Sequence, residues 1–476
     1  MNLAYKYPIV FWNTACLITN SGGNESYEDN NDNDEDIYTN DIIYDNSLNF
    51  DEEEEEEEDI DEEDKKNLTQ KKKKAKKIDY GKISIAIGKM QAEGIKINSP
   101  NINHTSYTFY PNEKDNKILC GFNSITRFNQ EVIKEIIANR PYTSFEDFCS
   151  KVKLNKLQMT NLIKSGAFDE FGSREAIMKK YISSIYGEKK RLTLQNMKML
   201  IDYKLIPDSL GFEIKIYNFT KYLRKFKDGN FYLLDNIAFK FYNDNFSLDE
   251  LVIGDCESGF KILQRKWDKI YDSYMNNIRK YIKDNYDNLL TELNELLFNE
   301  MWNKYCNGTI SKWEMDSISF YTNEHELAHL QNSLYNISNF NELASTPVID
   351  DIFMIKGKKV PIYKIFRIAG TVLDRDKIKK SVTLLTTTGV VIVKIYGNAF
   401  NMYDKQISEI GADGKKHIIE SSMFKRGNKI IVTGIKTDDS TFIMKTYKRT
   451  PYHSIELIKK INEDGTIETT NRSLES

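Results

Sequence analysis

A chain of 476 residues with 40% apolar composition is long enough to bury several cores, and its mean hydropathy of −0.56 with no long apolar run leaves no transmembrane helix. The net charge of −4 is a near-cancellation: residues 25–64 hold 22 Asp and Glu with no Lys or Arg, residues 65–77 hold 8 Lys and no acids, and the remainder is basic. A basic body beside a polyanion points to a nucleic-acid partner rather than a membrane. The five cysteines (Cys16, Cys120, Cys149, Cys256 and Cys306) include no C-x-x-C pair, which argues against a disulfide framework or structural zinc and fits a reducing cytoplasm.

In chain order, Leu3–Ile18 is apolar but contains Lys6, Pro8 and Asn13 and lacks a basic start, so it is no secretory signal. Residues 24–77 carry too few apolar groups to fold and are expected to form a disordered insertion, acidic and then basic. That insertion reads either as a solvated spacer or as a polyanion that folds back over a basic surface. From Tyr80 the pattern turns helical. Apolar residues at 83, 87 and 90 predict a helix over Lys82–Ala92 that ends at Gly94. Ile118–Arg140 and Ser144–Phe168 predict short amphipathic helices broken by Gly121, Pro141 and Gly166. Helices continue through 190–345, as in Tyr217–Phe226 and Trp267–Phe298.

From Pro361 the period changes to two. Tyr363–Asp374, Ser381–Thr386, Gly389–Tyr396, Asn428–Ile435 and Thr441–Tyr447 predict five strands, with a short helix around Tyr403–Ser408 between the third and fourth. That order fits an OB-type barrel. The expected fold class is α+β and multidomain: a mostly helical N-terminal two-thirds with a helix-hairpin-helix pair, then the five-stranded barrel. The expected parts are 1–23, 24–77 (the insertion), 78–185 (hairpins), 186–345 (helical connection), 346–455 (barrel) and 456–476 (tail).

One motif points elsewhere. His325-Glu-Leu-Ala-His329 matches H-E-x-x-H, which on a helix sets two imidazoles one turn apart around a zinc ion with the glutamate as base. His325, Glu326 and His329 are the metal candidates on that zinc-protease alternative, with Glu342 as a third ligand.

Leu162-Ile-Lys-Ser-Gly-Ala-Phe-Asp169, read with Lys89-Met-Gln-Ala-Glu-Gly-Ile-Lys-Ile-Asn-Ser-Pro-Asn-Ile-Asn103 upstream, resembles the segment after the catalytic domain in the alpha subunit of bacterial DNA polymerase III. The family runs "C-x-R-M-G-I-x-V-x-P-P-D-I-N", then a helix-hairpin-helix pair ending "L-I-x-x-G-A-F-D". Leu3–Leu17 resembles the end of the family's fingers domain, and 370–408 resembles the OB region of its phage and low-GC members. Ile318–Leu327 is similar to the family's "L-G-F-Y-L-S-G-H-P-L", where the histidine begins a packed helix.

The resemblance implies a DNA-binding part of a replicative polymerase, split so that the palm and its Mg2+ lie on a partner chain, with no cofactor in this one. The expected partners are primer-template duplex, single-stranded DNA and the palm-bearing chain, with a sliding clamp as a further candidate. The expected location is the cytoplasm, a host's if the gene is a phage's.

It implies duplex contacts at two hairpins. The second, at Lys164, Ser165, Gly166 and Ala167, keeps its glycine. The first has Thr126-Arg-Phe-Asn-Gln130 where the family has "K-G-V-G-E": both glycines are lost, and Arg127 substitutes a charge for the lost amides. OB barrels stack bases on aromatics beside cations. The candidates here are Arg367, Arg375, Lys394, Tyr396, Phe400, Tyr403, Lys405, Lys425, Arg426 and Lys429, with Tyr396 and Phe400 also able to close the core. A clamp-binding peptide would fall at Asn294-Glu-Leu-Leu-Phe298, through Asn294, Leu297 and Phe298, or at Gln331–Tyr335; both also read as helix core. A free-standing DNA-binding protein is the other reading.

Overall fold

Apolar spacing sets the first elements in the computed structural model, which describes residues 9–20, 80–112, 114–192, 196–225, 230–245, 252–256, 259–355, 357–410 and 416–471. The insertion at 24–77 lies outside the described residues. The chain divides into a larger unit, Met1–Met178 with Gly308–Ser476, and a smaller one, Lys179–Asn307.

In the larger unit, α1 (Ile9–Asn20) packs on α2 (Tyr80–Ala92). Ile83, Ile87 and Met90 of α2 are buried, as their spacing predicts, and Gly94 at φ +83° follows its end. Gly88 lets α2 lie against the barrel, since a Cβ there would sit 2.7 Å from Val390 Cγ2. Strands β1 (Lys96–Asn98), β2 (Tyr110–Asn112) and β3 (Lys117–Leu119) form a sheet in the order β1-β3-β2. The helix expected from Ile118 is therefore a strand at first: β1 and β2 take its backbone hydrogen bonds, and a 3-10 turn over Phe122–Ser124 follows.

Helices α3 (Gln130–Ala138), α4 (Phe145–Lys151), α5 (Lys156–Lys164) and α6 (Arg174–Ile185) come next. Asn129, Ser144 and Asn155 cap the first three, each side chain accepting a first-turn amide. Tyr142, Phe145, Phe148 and Phe168 form their aromatic core, with ring centroids 4.9 to 5.2 Å apart.

The smaller unit holds α7 (Met197–Asp202), α8 (Gly211–Phe219), α9 (Asn236–Asn245), α10 (Gln264–Asp284) and α11 (Tyr286–Cys306). It also holds a sheet of β4 (Arg224–Lys225), β5 (Phe231–Leu234), β6 (Val252–Cys256) and β7 (Gly259–Leu263), ordered β4-β5-β7-β6. Sequence periodicity missed this sheet because its strands are too short to display alternation. The helix predicted over Tyr217–Phe226 ends at Phe219, and the chain turns into β4. Trp267 packs edge-on to Phe219, 5.0 Å between centroids, in a core with Leu200, Ile216, Met275, Ile278, Leu289 and Leu293.

The larger unit resumes with α12 (Ile310–Ile318), which packs against α5, and a ribbon of β8 (Ile349–Ile355) and β9 (Lys358–Tyr363). The barrel follows: β10 (Phe366–Asp376), β11 (Ser381–Thr386), β12 (Gly389–Lys394), α13 (Ala399–Tyr403), a hairpin of β13 (Ile407–Ile410) and β14 (Lys416–Glu420), then β15 (Lys429–Lys436) and β16 (Thr441–Met444).

It closes in the order β10-β11-β12-β16-β15 and back to β10, with only β12–β16 parallel among these pairs. These are the five strands the alternation predicts, in OB-type connection. The short helix forms earlier than its expected place at Tyr403–Ser408: Phe400 and Tyr403, one turn apart, both fill the barrel end, and Ile407 already opens a strand. The predicted tail carries β17 (Ile455–Ile461), paired to β15, and β18 (Ile467–Asn471). No described helix is long and apolar enough to cross a membrane.

Candidate nucleic-acid interface

Two helix starts in the larger unit are bound to one another. The loop before α3 places Arg127 in the left-handed region, at φ 69°, with its side chain exposed. The position keeps a glycine's backbone without being glycine. At the start of α5, Asn155 and Gln158 form a capping box: Asn155 Oδ1 accepts from Gln158 N (2.8 Å) and Gln158 Oε1 accepts from Asn155 N (3.3 Å). The amides of Lys156 and Leu157 then have no acceptor within the helix.

Gln158 Nε2 also donates to Arg127 O (3.3 Å), and Asn161 Nδ2 donates to Thr126 O (3.1 Å) and Oγ1 (3.0 Å). Arg127, Lys153 and Lys156 are exposed around these helix starts. Free amides at a helix N-terminus with cations beside them suit a phosphate.

The second hairpin is thus the connection Val152–Asn155 between α4 and α5, not the expected Lys164–Ala167. Those four residues close α5 from inside the fold. Ser165, Gly166 and Ala167 are buried; Ser165 Oγ donates to Leu162 O (2.8 Å), and Ala167 O accepts from Ile102 N (2.8 Å). Lys164 Nζ lies 3.7 Å from Asp316. Gly166, at φ +87°, leaves the space that the Arg174 guanidinium fills.

Arg174 donates to Asp169 through Nε (3.0 Å) and Nη2 (2.9 Å), to Ser99 Oγ (3.0 Å), to Lys164 O (3.3 Å) and to Glu314 Oε1 (2.7 Å). The two motifs that stand out in the sequence, 89–103 and 162–169, therefore meet each other. Their role is architectural.

The barrel candidates separate by burial. Phe400 and Tyr403 are core, and burial pushes the Tyr403 hydroxyl pKa above its usual value. Arg367 is buried, bonded to Tyr335 O and paired with Glu456, with its guanidinium 4.4 Å from the Tyr452 ring centroid. Arg375 pairs with Asp404, Lys425 with Glu420 (3.1 Å) and Lys429 with Glu326 (3.0 Å), while Arg426 Nε donates to Leu373 O (3.0 Å). Lys405 is exposed and has a partner of its own. Lys394 and Tyr396, the latter 64% exposed, stand clear.

They adjoin a turn that the candidate residues omit. Lys377, Ile378, Lys379 and Lys380 connect β10 to β11, with Ile378 95% exposed. Lys380 Nζ donates to Gly397 O (3.0 Å), Lys380 O accepts from Ile395 N (2.9 Å), and Lys394 lies across from Ser381. Acids offset part of this charge: the Asp376 carboxylate accepts from the amides of Lys379 (2.8 Å) and Ile378 (3.0 Å), which hold its pKa below the usual range, and it lies 3.5 Å from Lys379 Nζ, while Lys377 Nζ lies 3.8 Å from Asp404. The signal was present in the sequence: three lysines in a turn between two predicted strands.

The H-E-x-x-H segment is a run of turns, not a helix. His325 Nδ1 accepts from Leu327 N (3.0 Å), which leaves Nε2–H for Leu385 O (3.0 Å). Burial lowers its pKa to about 4. Glu326 is spent on Lys429, and His329 is exposed beside Glu324 (3.1 Å). Both nitrogens of one imidazole are engaged by the backbone, so the zinc-protease alternative fails on geometry. Asn294, Leu297 and Phe298 lie mid-helix in α11: Asn294 bonds both the amide (2.8 Å) and the carbonyl (2.9 Å) of Lys189, and Phe298 packs on Tyr186.

A helix-hairpin-helix motif matches residues 94–177. The "Probable DNA polymerase YorL" of Bacillus subtilis (strain 168) and the "DNA-directed DNA polymerase" of Bacillus phage SPbeta are each 37% identical over 489 residues, covering 100% of this chain and 34% of the relative. The chain thus spans about a third of their length. The DNA polymerase III subunit alpha of Xylella fastidiosa (strain Temecula1) is 38% identical over 89 residues, 17% of this chain and 7% of that protein. Hairpin region, closed barrel and full-length similarity agree: the chain is similar along its whole length to part of these DNA polymerases and resembles the C-terminal part of a DNA polymerase III alpha-like polymerase.

Proposed function

We propose that this chain grips DNA for a replicative DNA polymerase III alpha-like enzyme. Duplex product lies at the paired starts of α3 and α5, where Arg127, Lys153, Lys156 and the first amides of α5 receive phosphates. Single-stranded template lies across the barrel turn, on Lys377, Lys379, Lys394 and Tyr396. Nucleotidyl transfer, with its Mg2+, is assigned to a palm-bearing partner. Exposure of Ile9, Phe11 and Trp12 on α1 supports a partner seated there. A sliding clamp is a further proposed partner, not through 294–298, whose side chains serve α11.

The observation that carries this reading is the bond between Gln158 and Arg127, which aims both loops as one unit. Fluorescence anisotropy on primer-template DNA across a salt series tests it. Affinity should fall steeply, with a log–log slope of about −0.9 per phosphate contacted. A flat salt response rejects the reading. A free-standing DNA-binding protein would bind alike but would not stimulate a co-expressed palm-bearing chain in primer extension.

A further inference from the structure

The ribbon β8–β9 pairs with no other strand among the described residues, and its base is closed by Lys364 N donating to Val348 O (2.8 Å). A two-stranded ribbon alone in water is marginal. This one also presents Ile349, Ile352, Phe353, Met354 and Val360 to solvent, with Phe353 53% and Met354 61% exposed. Directly opposed residues share a face. Phe353 and Val360 therefore lie on one side, and Ile352, Pro361, Met354 and Lys359 on the other. Both faces are apolar.

Charge decides what covers them. The acids of the ribbon, Asp350 and Asp351, lie toward its base. The outer end turns at Gly357 (φ +76°) and carries Lys358 and Lys359, both exposed and without an acidic partner among the described residues. An apolar protein groove would strand those lysines, and water leaves the apolar faces uncovered. Unpaired nucleic acid meets both demands, because base faces cover apolar and aromatic side chains while the adjoining phosphates take the lysines.

We infer that the β8–β9 ribbon is a wedge for single-stranded DNA, stacking bases on Phe353 and Met354 and holding their phosphates with Lys358 and Lys359. This rests on the proposed DNA-gripping role and adds a contact surface apart from the hairpins and the barrel turn.

The test uses the full chain with a single-stranded oligonucleotide carrying 2-aminopurine, and a duplex of the same sequence as control. The wild type should change 2-aminopurine emission on binding. Phe353→Ser with Met354→Ser should abolish that change and weaken single-strand affinity about tenfold, the loss of one stacked base, with duplex affinity within about twofold. Lys358→Glu with Lys359→Glu, at solvent-exposed positions that leave the fold intact, should weaken single-strand binding and flatten its salt slope. If the wild type binds with the expected salt dependence and both variants match it, the ribbon serves a protein instead and the inference is overturned. If the wild type binds no DNA, the proposed function fails as well.

Discussion

Arg174 Nη1 lies 2.7 Å from Glu314 Oε1, and the Glu314 side chain is entirely buried. The two are 140 residues apart in sequence. The carboxylate also accepts from the amides of Thr322 (2.9 Å) and Asn323 (3.1 Å) and from the Asn323 side chain (2.6 Å), so it joins the hairpin region to the approach to the barrel.

Removing it leaves a buried cation and several donors unmet. Glu314→Ala should destabilise the larger unit by about 3–5 kcal/mol, and Glu314→Gln by less. Urea unfolding followed by near-UV signal measures this. A loss below about 1 kcal/mol would show that the pair is dispensable.

Gly166→Ala should also unfold the hairpin region more readily, because the new methyl group meets the Arg174 guanidinium and the backbone holds φ +87°. The expected cost is at least about 2 kcal/mol, from left-handed strain plus overpacking. Thermal melts read it. DNA affinity of the folded variant should stay at the wild-type value, since residue 166 is not on the proposed interface.

Arg127→Gly separates strain from charge. Glycine fits φ 69° without penalty, so the variant should gain about 0.5–1 kcal/mol in stability. It should bind duplex more weakly, with the salt slope reduced by about 0.9. Unchanged duplex affinity would take Arg127 off the interface.

The barrel candidates should fall into two behaviours. Arg367→Ala and Tyr403→Ala should lower the melting temperature. Lys394→Ala and Tyr396→Ala should leave it unchanged and weaken single-strand binding, Tyr396 by about 1–3 kcal/mol if a base stacks on it. Anisotropy and melting on the same samples give both readouts.

His325 makes stability depend on pH. Burial lowers its folded pKa to about 4 from 6.5, so the unfolded chain binds the proton more readily. Its contribution is complete above pH 6.5 and shrinks as pH falls toward 4, by at most about 3 kcal/mol. His325→Gln should flatten the stability profile across that window. A profile identical to the wild type would reject the buried neutral imidazole.

The barrel was legible because its strands are long and alternate, and α2 because 83, 87 and 90 mark one face. Local pattern could not show that Leu162–Asp169 points inward, since the residue that fills Gly166's space is Arg174 and its counter-charge is Glu314, far along the chain. Nor could it separate Lys429, paired with Glu326, from Lys394, which has no ion pair among the described residues. The H-E-x-x-H letters misled for a related reason: spacing implies two facing imidazoles only on a helix, and residues 322–330 form turns. The smaller unit's sheet was hidden by strands of two to five residues.

The long reach between Arg174 and Glu314 has a consequence during synthesis. The whole of Lys179–Asn307 leaves the ribosome between them. At roughly 5–20 residues per second the guanidinium waits on the order of ten seconds for its counter-ion. Through that interval the nascent hairpin helices cannot complete their tertiary structure; at its end the intervening unit has every residue of its own core, while the larger unit still awaits most of Gly308–Ser476. The middle of the polypeptide is therefore free to finish folding before the segment made first.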